Sequence, residues 1–435
     1  MVRVCNWGLY PQIDANQFST SNYEEIAAFV KANDVIIARG NGRCYGDSSL
    51  QKKIFSTLSL NRIIKFDEIN GVINCESGVL LSEILNIIIP KGYFLPVTPG
   101  TKFITIGGAV ASNIHGKNHH TEGAIAKFIQ SFELLIETGE ILHCSKEKNS
   151  SLFANTIGGM GLTGIVISVQ MQLKKIETSY INQTIIKAKN IEEVITYLEQ
   201  YKNSTYAVAW IDCLAKGKNL GRSILYLGEH TSLTDLTKEQ AENPLKIHQK
   251  RTINIPFYFP EITLNSMTIK LFNILFYHKL LSTSASNIIP FDSFFYPLDA
   301  INNWNKMYGK SGFTQYQFVI PYENGKEGLI KILTQIAESG CGAFLAVLKT
   351  FGKSETNCSP ISFPMEGYTL AVDFKVNKKV FQLLNQLDEI VLKYNGRLYL
   401  TKDARMTAAT FAKSYPNGLE HSFKFSSLQS QRLGI

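Results

Sequence analysis

The sequence predicts an α+β fold, and three observations carry that prediction. Short apolar or alternating runs of strand type, such as 34–38 (DVIIA) and 315–320 (QYQFVI), recur between segments with helical periodicity. Two glycine-rich stretches, 39–48 and 158–165, each adjoin a strand. The later part reads strand, helix, strand, which is the pattern of an antiparallel sheet backed by helices. At 435 residues the chain exceeds the size at which a single core keeps growing, so two domains are expected.

Hydrophobic residues at 45% and charged residues at 18% are ordinary for a globular protein and exclude wholesale disorder. The opening MVRVCNWGLYPQ lacks an apolar h-region, so no cleaved secretory signal is expected. No apolar run reaches the roughly 18–20 residues that span a bilayer. The best candidate, 267–281, is interrupted by Lys270, His278 and Lys279. The 7 scattered cysteines form no CxxC pair, which supports neither a zinc site nor a disulfide framework and fits a reducing, cytoplasmic compartment. The net charge of +8 is dispersed. It reads either as a solvated surface or as attraction to phosphates and an anionic membrane face. No nucleic-acid-binding motif is present.

In chain order, Ser21-x-x-Glu24 reads as a capping box opening a helix through Ile26, Ala27, Phe29 and Val30. The strand 34–38 empties into Arg39-Gly40-Asn41-Gly42-Arg43-Cys44-Tyr45-Gly46-Asp47-Ser48, a loop whose backbone N–H groups can converge on phosphate. It is not a Rossmann fingerprint, because Gly46 comes one position too late and no amphipathic helix follows. A glycine-rich surface hairpin is the plain alternative. Residues 71–76 read as a strand, and 79–89 as a helix ended by Pro90-Lys91-Gly92.

The stretch 97–123 (VTPGTKFITIGGAVASNIHGKNHHTEG) organises the rest. Its Gly107–Gly108 pair and the small residues Ala109 to Ser112 let the backbone approach something flat and large. The polar cluster His115-Gly116-Lys117-Asn118-His119-His120 sets donors beside it. The stretch reads as the wall of a cofactor site with a substrate edge. Its histidines lack a carboxylate or cysteine at ligand spacing, so no metal is expected. Residues 128–136 and 140–144 form a hairpin, 158–165 runs into the strand 166–173, and the first domain closes near Lys175.

Beyond Thr178, strands at 179–186, 206–213 and 223–228 alternate with a helix at 191–201. Residues 243–286 are basic, aromatic and poor in structure signals, as lids and long insertions are. The mixture of Phe257, Tyr258, Phe259, Leu271, Phe272 and Phe276 with Lys270 and Lys279 suits either a surface lying on lipid or packing on the neighbouring domain. The strand 315–320 places Gln315 and Gln317 on one face. Helices at 327–337 and 380–394 and strands at 344–349 and 368–374 follow. The polar density after Tyr399 is unusual for a strand end. A desolvated Lys402 would have a lowered pKa and could act as a base. An exposed one, which the sequence alone favours, carries no chemistry.

Three segments, RGxGRxYGDS (39–48), PGT…GGA…NIHGKNHH (99–120) and GLTGI (161–165), together resemble the PCMH-type FAD-binding domain of the vanillyl-alcohol-oxidase superfamily. With Tyr399-x-x-Lys402-Asp403 they resemble the decaprenylphosphoryl-β-D-ribose 2-oxidase family, over nearly the whole chain from Trp7-Gly8 to Tyr415-Pro416. The resemblance implies an FAD domain of residues 1–177 completed by 397–435, and a substrate or cap domain of 178–396 with a mobile lid at 243–286. FAD would be held by Ala38 and the whole Arg39-to-Ser48 loop, by Gly100, Thr105, Ile106, Gly107 and Gly108, by Ser112, Asn113, Ile114 and His115, and by Ile165 and Tyr399. Tyr45 stands where many superfamily members carry a histidine bonded to the flavin, so non-covalent FAD is implied, and His115 is not expected to be an anchor either.

The same resemblance gives catalytic positions to Lys402, Tyr45 and His115, and substrate contacts to Lys117, Gln315, Gln317, Lys349 and Lys402. The implied reaction oxidises a secondary sugar hydroxyl to a ketone, at C2 of a polyprenyl-phosphate-linked ribose. Lys402 would assist deprotonation while hydride leaves for flavin N5. The glutamines suit sugar hydroxyls and the lysines a phosphate. The step would be the first half of a 2-epimerisation in cell-envelope synthesis, completed by an NAD(P)H-dependent short-chain reductase, with the protein peripheral at the inner membrane face. One departure is Ala371, where mycobacterial-type members carry cysteine; Thr369 likewise replaces asparagine. Hydride transfer needs no thiol, so catalysis is expected to survive, although the sugar or lipid can differ. The alternatives are a soluble alditol or aldonolactone oxidase and a non-catalytic FAD- or lipid-binding protein.

Overall fold

Three sheets organise the computed structural model, which describes residues 1–435 except Gln249, Leu281 and 419–423. Parts of the expected lid (243–286) and of the expected C-terminal portion (397–435) therefore lie outside the described residues. The first sheet runs in the order Val2–Cys5, Gln12–Phe18, Lys53–Ser56, Ile37–Arg39, antiparallel at its first junction and parallel at the other two. Ile36, Ile37, Ile54 and Phe55 are fully enclosed, which is what drives this short apolar run into the sheet. The strand expected at 34–38 begins only at Ile37, because Val35 faces solvent and Ile36 instead bridges Phe425 near the chain's end. Arg432 closes the same region by pairing with Asp47 at 2.7 Å and Asp403 at 2.9 Å.

The expected cap at Ser21 is corrected. Helix Tyr23–Lys31 starts one residue later, on Asn22, whose Oδ1 accepts the Glu24 N–H at 2.9 Å. Asn22 has the extended backbone of an N-cap and a short acceptor side chain at the right reach.

The second sheet is antiparallel, in the order Ile63–Asp67, Val72–Glu76, Ile165–Gln172, Ile129–Leu135, Ile141–Ser145. The short helix Ile106–Ala111 packs against its central strand Ile165–Gln172. The third sheet has eight antiparallel strands: Ser284–Pro290, Tyr180–Ala188, Ser223–His230, Tyr206–Ile211, Ala346–Phe351, Gly367–Lys375, Phe313–Ile320 and Arg397–Leu398. Helices Tyr322–Ser339 and Lys378–Lys393 back it with stripes such as Leu329, Ile332, Leu333, Ile336 and Leu383, Leu384, Leu387, Val391. The first of these is longer than the expected 327–337. It starts directly after Pro321 and passes through Gly325, where a Cβ would come within 2.6 Å of the Tyr368 ring. That glycine is a packing residue, not a helix stop.

The segment 243–286 is also more ordered than its composition suggests. Asn265 caps a helix at Ser266–His278, and Ser284–Pro290 is the edge strand of the large sheet, paired to Tyr180–Ala188. Ile269, Asn273 and Tyr277, at spacing four, are the helix's buried face.

Candidate active site

A cavity of about 570 Å³ lies between the glycine-rich loops and the open face of the eight-stranded sheet. One wall is backbone and small side chains. Ala38, Gly40 to Tyr45 and Ser48 line it, as do Gly100, Thr105, Gly107, Gly108, Ser112, Ile114 and Tyr399. Thr105 caps helix Ile106–Ala111 by accepting the Gly108 N–H. The loop packs directly on that cap: a Cβ on Gly40 would sit 2.2 Å from Thr105 Oγ1. Six of the expected cofactor residues do not line the cavity. Arg39 bonds Cys5 O at 3.0 Å, Asp47 pairs with Arg432, and Gly46 lies against the Asp403 carbonyl, where a Cβ would come within 1.8 Å. Ile106 and Ile165 are core, and Asn113 donates to Ser362 Oγ at 2.9 Å. These six hold the wall from behind.

The opposite wall is made largely of long polar side chains. Gln315, Gln317, Lys349, Ala371 and Lys402 line it, with Tyr45, His115 and Lys117 at the junction. Lys402 ends the short helical turn Leu400–Lys402, and its Nζ lies 3.9 Å from the centre of the Tyr45 ring. The ammonium groups of Lys117, Lys349 and Lys402 reach the cavity rather than bulk water. Burial therefore lowers Lys402 to about 8, with Asp373 pulling it back up. Burial, reinforced by Lys402, lowers Lys349 to about 7. Burial, with Lys349 and Lys250 adding to it, lowers Lys117 to about 7. Lys117 also donates to the Phe294 carbonyl and sits 4.3 Å from the centre of the Phe294 ring.

Two fully enclosed carboxamides are set by their neighbours. Gln315 donates to Asp373 Oδ1 at 2.6 Å, and Gln317 donates to His115 Nε2 at 3.0 Å and to Thr369 Oγ1 at 3.3 Å. With Nε2 accepting, the neutral ring carries its proton on Nδ1, a buried atom with no hydrogen-bond partner among the described residues. Burial, together with Lys349, His119 and Lys402, holds His115 well below the ordinary histidine value. The phenol of Tyr45 is pushed well above its usual value by burial and Asp373, so it stays protonated.

Of the histidine cluster, only His115, Gly116 and Lys117 line the cavity. His119 stacks on Phe351 at 4.2 Å, and His120 bonds Ser204 O at 2.8 Å. Among the described residues no group of three or more His, Cys, Asp or Glu could hold a metal. Asp373 is the residue that sequence reasoning missed. Burial raises it to about 7. A carboxylate inside the otherwise apolar strand YTLAVDF was the signal that could have found it.

The backbone wall fits a flat, anionic cofactor. Among the described residues, Gly100 opens onto free space where a Cβ would touch nothing within 4 Å, and the buried Ser77 Oγ and His115 Nδ1, both on lining residues, lack hydrogen-bond partners. Residues 19–145 match the FAD binding domain family. The chain is 35% identical to decaprenylphosphoryl-beta-D-ribose oxidase of Mycolicibacterium smegmatis, across 95% of this chain and 91% of that protein. It is 26% identical to an uncharacterized protein in the mprA 5' region of Streptomyces coelicolor, across 82% of this chain and 100% of that protein. To D-lactate dehydrogenase of Anaerostipes hadrus it is 30% identical, across 41% of this chain and 40% of that protein. Fold, backbone wall and domain match define an FAD-dependent oxidoreductase. The chain belongs to the decaprenylphosphoryl-ribose oxidase family.

Proposed function

We propose that the protein oxidises the C2 hydroxyl of a polyprenyl-phosphate-linked ribose to a ketone. The observation that carries this reading is the enclosure of Lys117, Lys349 and Lys402 in one cavity beside Gln315 and Gln317. Three lysines with lowered affinity for protons call for an anionic ligand, and a phosphodiester between sugar and lipid meets that need. Bound FAD supplies the acceptor for hydride. Lys402, neutral for a substantial fraction of the time near its value of about 8, takes the hydroxyl proton as hydride leaves carbon. Gln315, steered by Asp373, and Gln317, steered by His115 and Thr369, hold the neighbouring sugar hydroxyls. Lys349 and Lys117 take the phosphate. Tyr45 presents its ring to Lys402, and its phenol, kept protonated by burial and Asp373, is a poor nucleophile, which supports non-covalent FAD.

A ketone product calls for an NAD(P)H-dependent reductase to complete the 2-epimerisation. Residues 1–177 with 397–435 form the cofactor domain and 178–396 the substrate domain. No helix among the described residues is long and apolar enough to cross a membrane. Contact with the inner membrane face is supported by Ile253, Phe257, Ile262, Met267, Leu271 and Leu275, all more than half exposed within one segment that also carries Lys270 and Lys279.

Anaerobic bleaching of the flavin tests the reading. A synthetic prenyl-phosphoryl ribose should bleach it, whereas free sugars, alditols and aldonolactones should not. Bleaching only by the free compounds would show a soluble alditol or aldonolactone oxidase instead. Acid precipitation should release the yellow colour into the supernatant; colour kept in the pellet would mean a covalent flavin.

A further inference from the structure

The sheet face that floors the cavity changes polarity along its length. In register, Gln315 lies opposite Asp373, Gln317 opposite Ala371, and Lys349 opposite Thr369. The same face continues through Val347, which is paired to Ala371 on one side and to Trp210 on the other. It then reaches Val208, opposite Tyr226. Side chains two apart on a strand share a face, so this is one continuous floor with a polar end and an apolar end. Val208, Trp210, Tyr226 and Val347 all line the cavity, with Gln183 the polar side chain at that end.

The roof over the apolar end is helix Ser266–His278. Phe272 and Phe276 line the cavity from it; Phe276 lies 4.7 Å from Trp210, and Phe272 5.8 Å from Phe344. The helix is anchored, since Asn273 donates to Asp212 Oδ1 at 2.9 Å and Asp212 is itself paired with Arg222 at 2.7 Å. Its far side carries Met267, Leu271 and Leu275, which are 81%, 56% and 63% exposed. The sugar chemistry proposed above uses none of the apolar floor or roof residues.

We propose that this aromatic half of the cavity is a subsite for the first isoprene units of the lipid tail, which leaves beneath helix Ser266–His278. The inference rests on the reading of the substrate as a prenyl-phosphoryl sugar. Lys349 and Val347 are two apart on one strand, so a phosphate held by Lys349 starts its tail at the edge of the apolar floor. From there Trp210, Phe276 and Phe272 offer an apolar path, and the helix's exposed face receives the chain where it emerges. A polar head and apolar tail joined at a phosphate match the floor in order and sign.

The test compares the efficiency of flavin reduction, kcat/KM, by farnesyl-phosphoryl ribose and by ribose 1-phosphate, in the FAD-loaded protein. Native protein should favour the farnesyl compound at least tenfold, and Phe276→Asn should lower that preference at least tenfold. Equal use of both by the native protein, or a preference unchanged by Phe276→Asn, would overturn the subsite while leaving the phosphoryl-sugar reading in place. Failure of both compounds to bleach the flavin would overturn that underlying reading. A second measurement does not depend on a variant. A farnesyl analogue with a diazirine on its first isoprene unit should crosslink native protein at Trp210, Phe272 or Phe276; labelling confined to other peptides would overturn the subsite.

Discussion

The wall made by 39–48 and 105–112 is built mainly of backbone and small side chains, whereas the wall made by the eight-stranded sheet is built of long polar side chains. On the first, glycines let chain pack on chain, as Gly40 does on Thr105 and Gly46 on Asp403, so its shape is set by backbone. On the second, long ionisable groups stand in an enclosed space where each shifts its neighbour: Lys402 lowers Lys349, and Asp373 raises Lys402. Cofactor retention should therefore depend on space, and chemistry on charge. Variants on one wall should spare what the other wall does.

The largest effect is expected at Lys402. Lys402→Ala should slow flavin reduction roughly 10²–10⁴-fold, the range for loss of a general base, with the yellow colour kept; stopped-flow absorbance under anaerobic conditions measures it. A native rate would remove Lys402 from the chemistry. Next is Gly40→Val, whose branched side chain has no room beside Thr105 Oγ1. It should purify with little FAD and unfold at lower denaturant by about 1–3 kcal/mol, the range for overpacking. Full flavin content in that variant would break the view that this wall works by shape. Lys349→Gln should raise KM for the prenyl-phosphoryl sugar about tenfold, about 1.4 kcal/mol, with a smaller change in kcat.

The pH dependence follows from the same cluster. Lys402 acts as a base only when neutral, so kcat at saturating substrate, where the phosphate is already held, should climb with pH below about 8 and level off above it. A profile flat from 6 to 9 would contradict the assignment. Stability carries the same signature. Lys117 and Lys349 sit near 7 in the folded protein against an ordinary 10.5, so between those values the unfolded chain holds more protons. The FAD-free protein should gain stability as pH rises across that window, measured by urea unfolding, and a bound phosphate should flatten the slope. The smallest effect is expected on the exposed apolar side chains of 253–275, where Phe257→Ser with Leu271→Ser should weaken co-sedimentation with anionic vesicles a few-fold and leave flavin content unchanged.

Much of this architecture was legible because it is local. The alternation in QYQFVI places Gln315 and Gln317 on one face whatever packs on it, and a glycine loop after a strand announces a backbone-built site. Most of the parts that were not legible depend on long-range partners, the helix cap being the local exception. Asn22 replaced Ser21 as a cap because the helix start depends on one residue's backbone angles. The helix expected at 327–337 begins five residues earlier, at Tyr322, with Gly325 packed against Tyr368. His119 and His120 share a motif with His115 but turn away from the cavity onto Phe351 and Ser204.

Composition, periodicity and the glycine loops by themselves determined an α+β chain with a cofactor wall, since strand alternation and turn chemistry act over a few residues. Only the tertiary structure decided that Lys402 is desolvated rather than exposed, that Asp373 stands opposite Gln315, and that helix Ser266–His278 roofs an apolar floor. Burial and strand register are set by segments far apart in the chain, and those settle which side chains water can no longer reach.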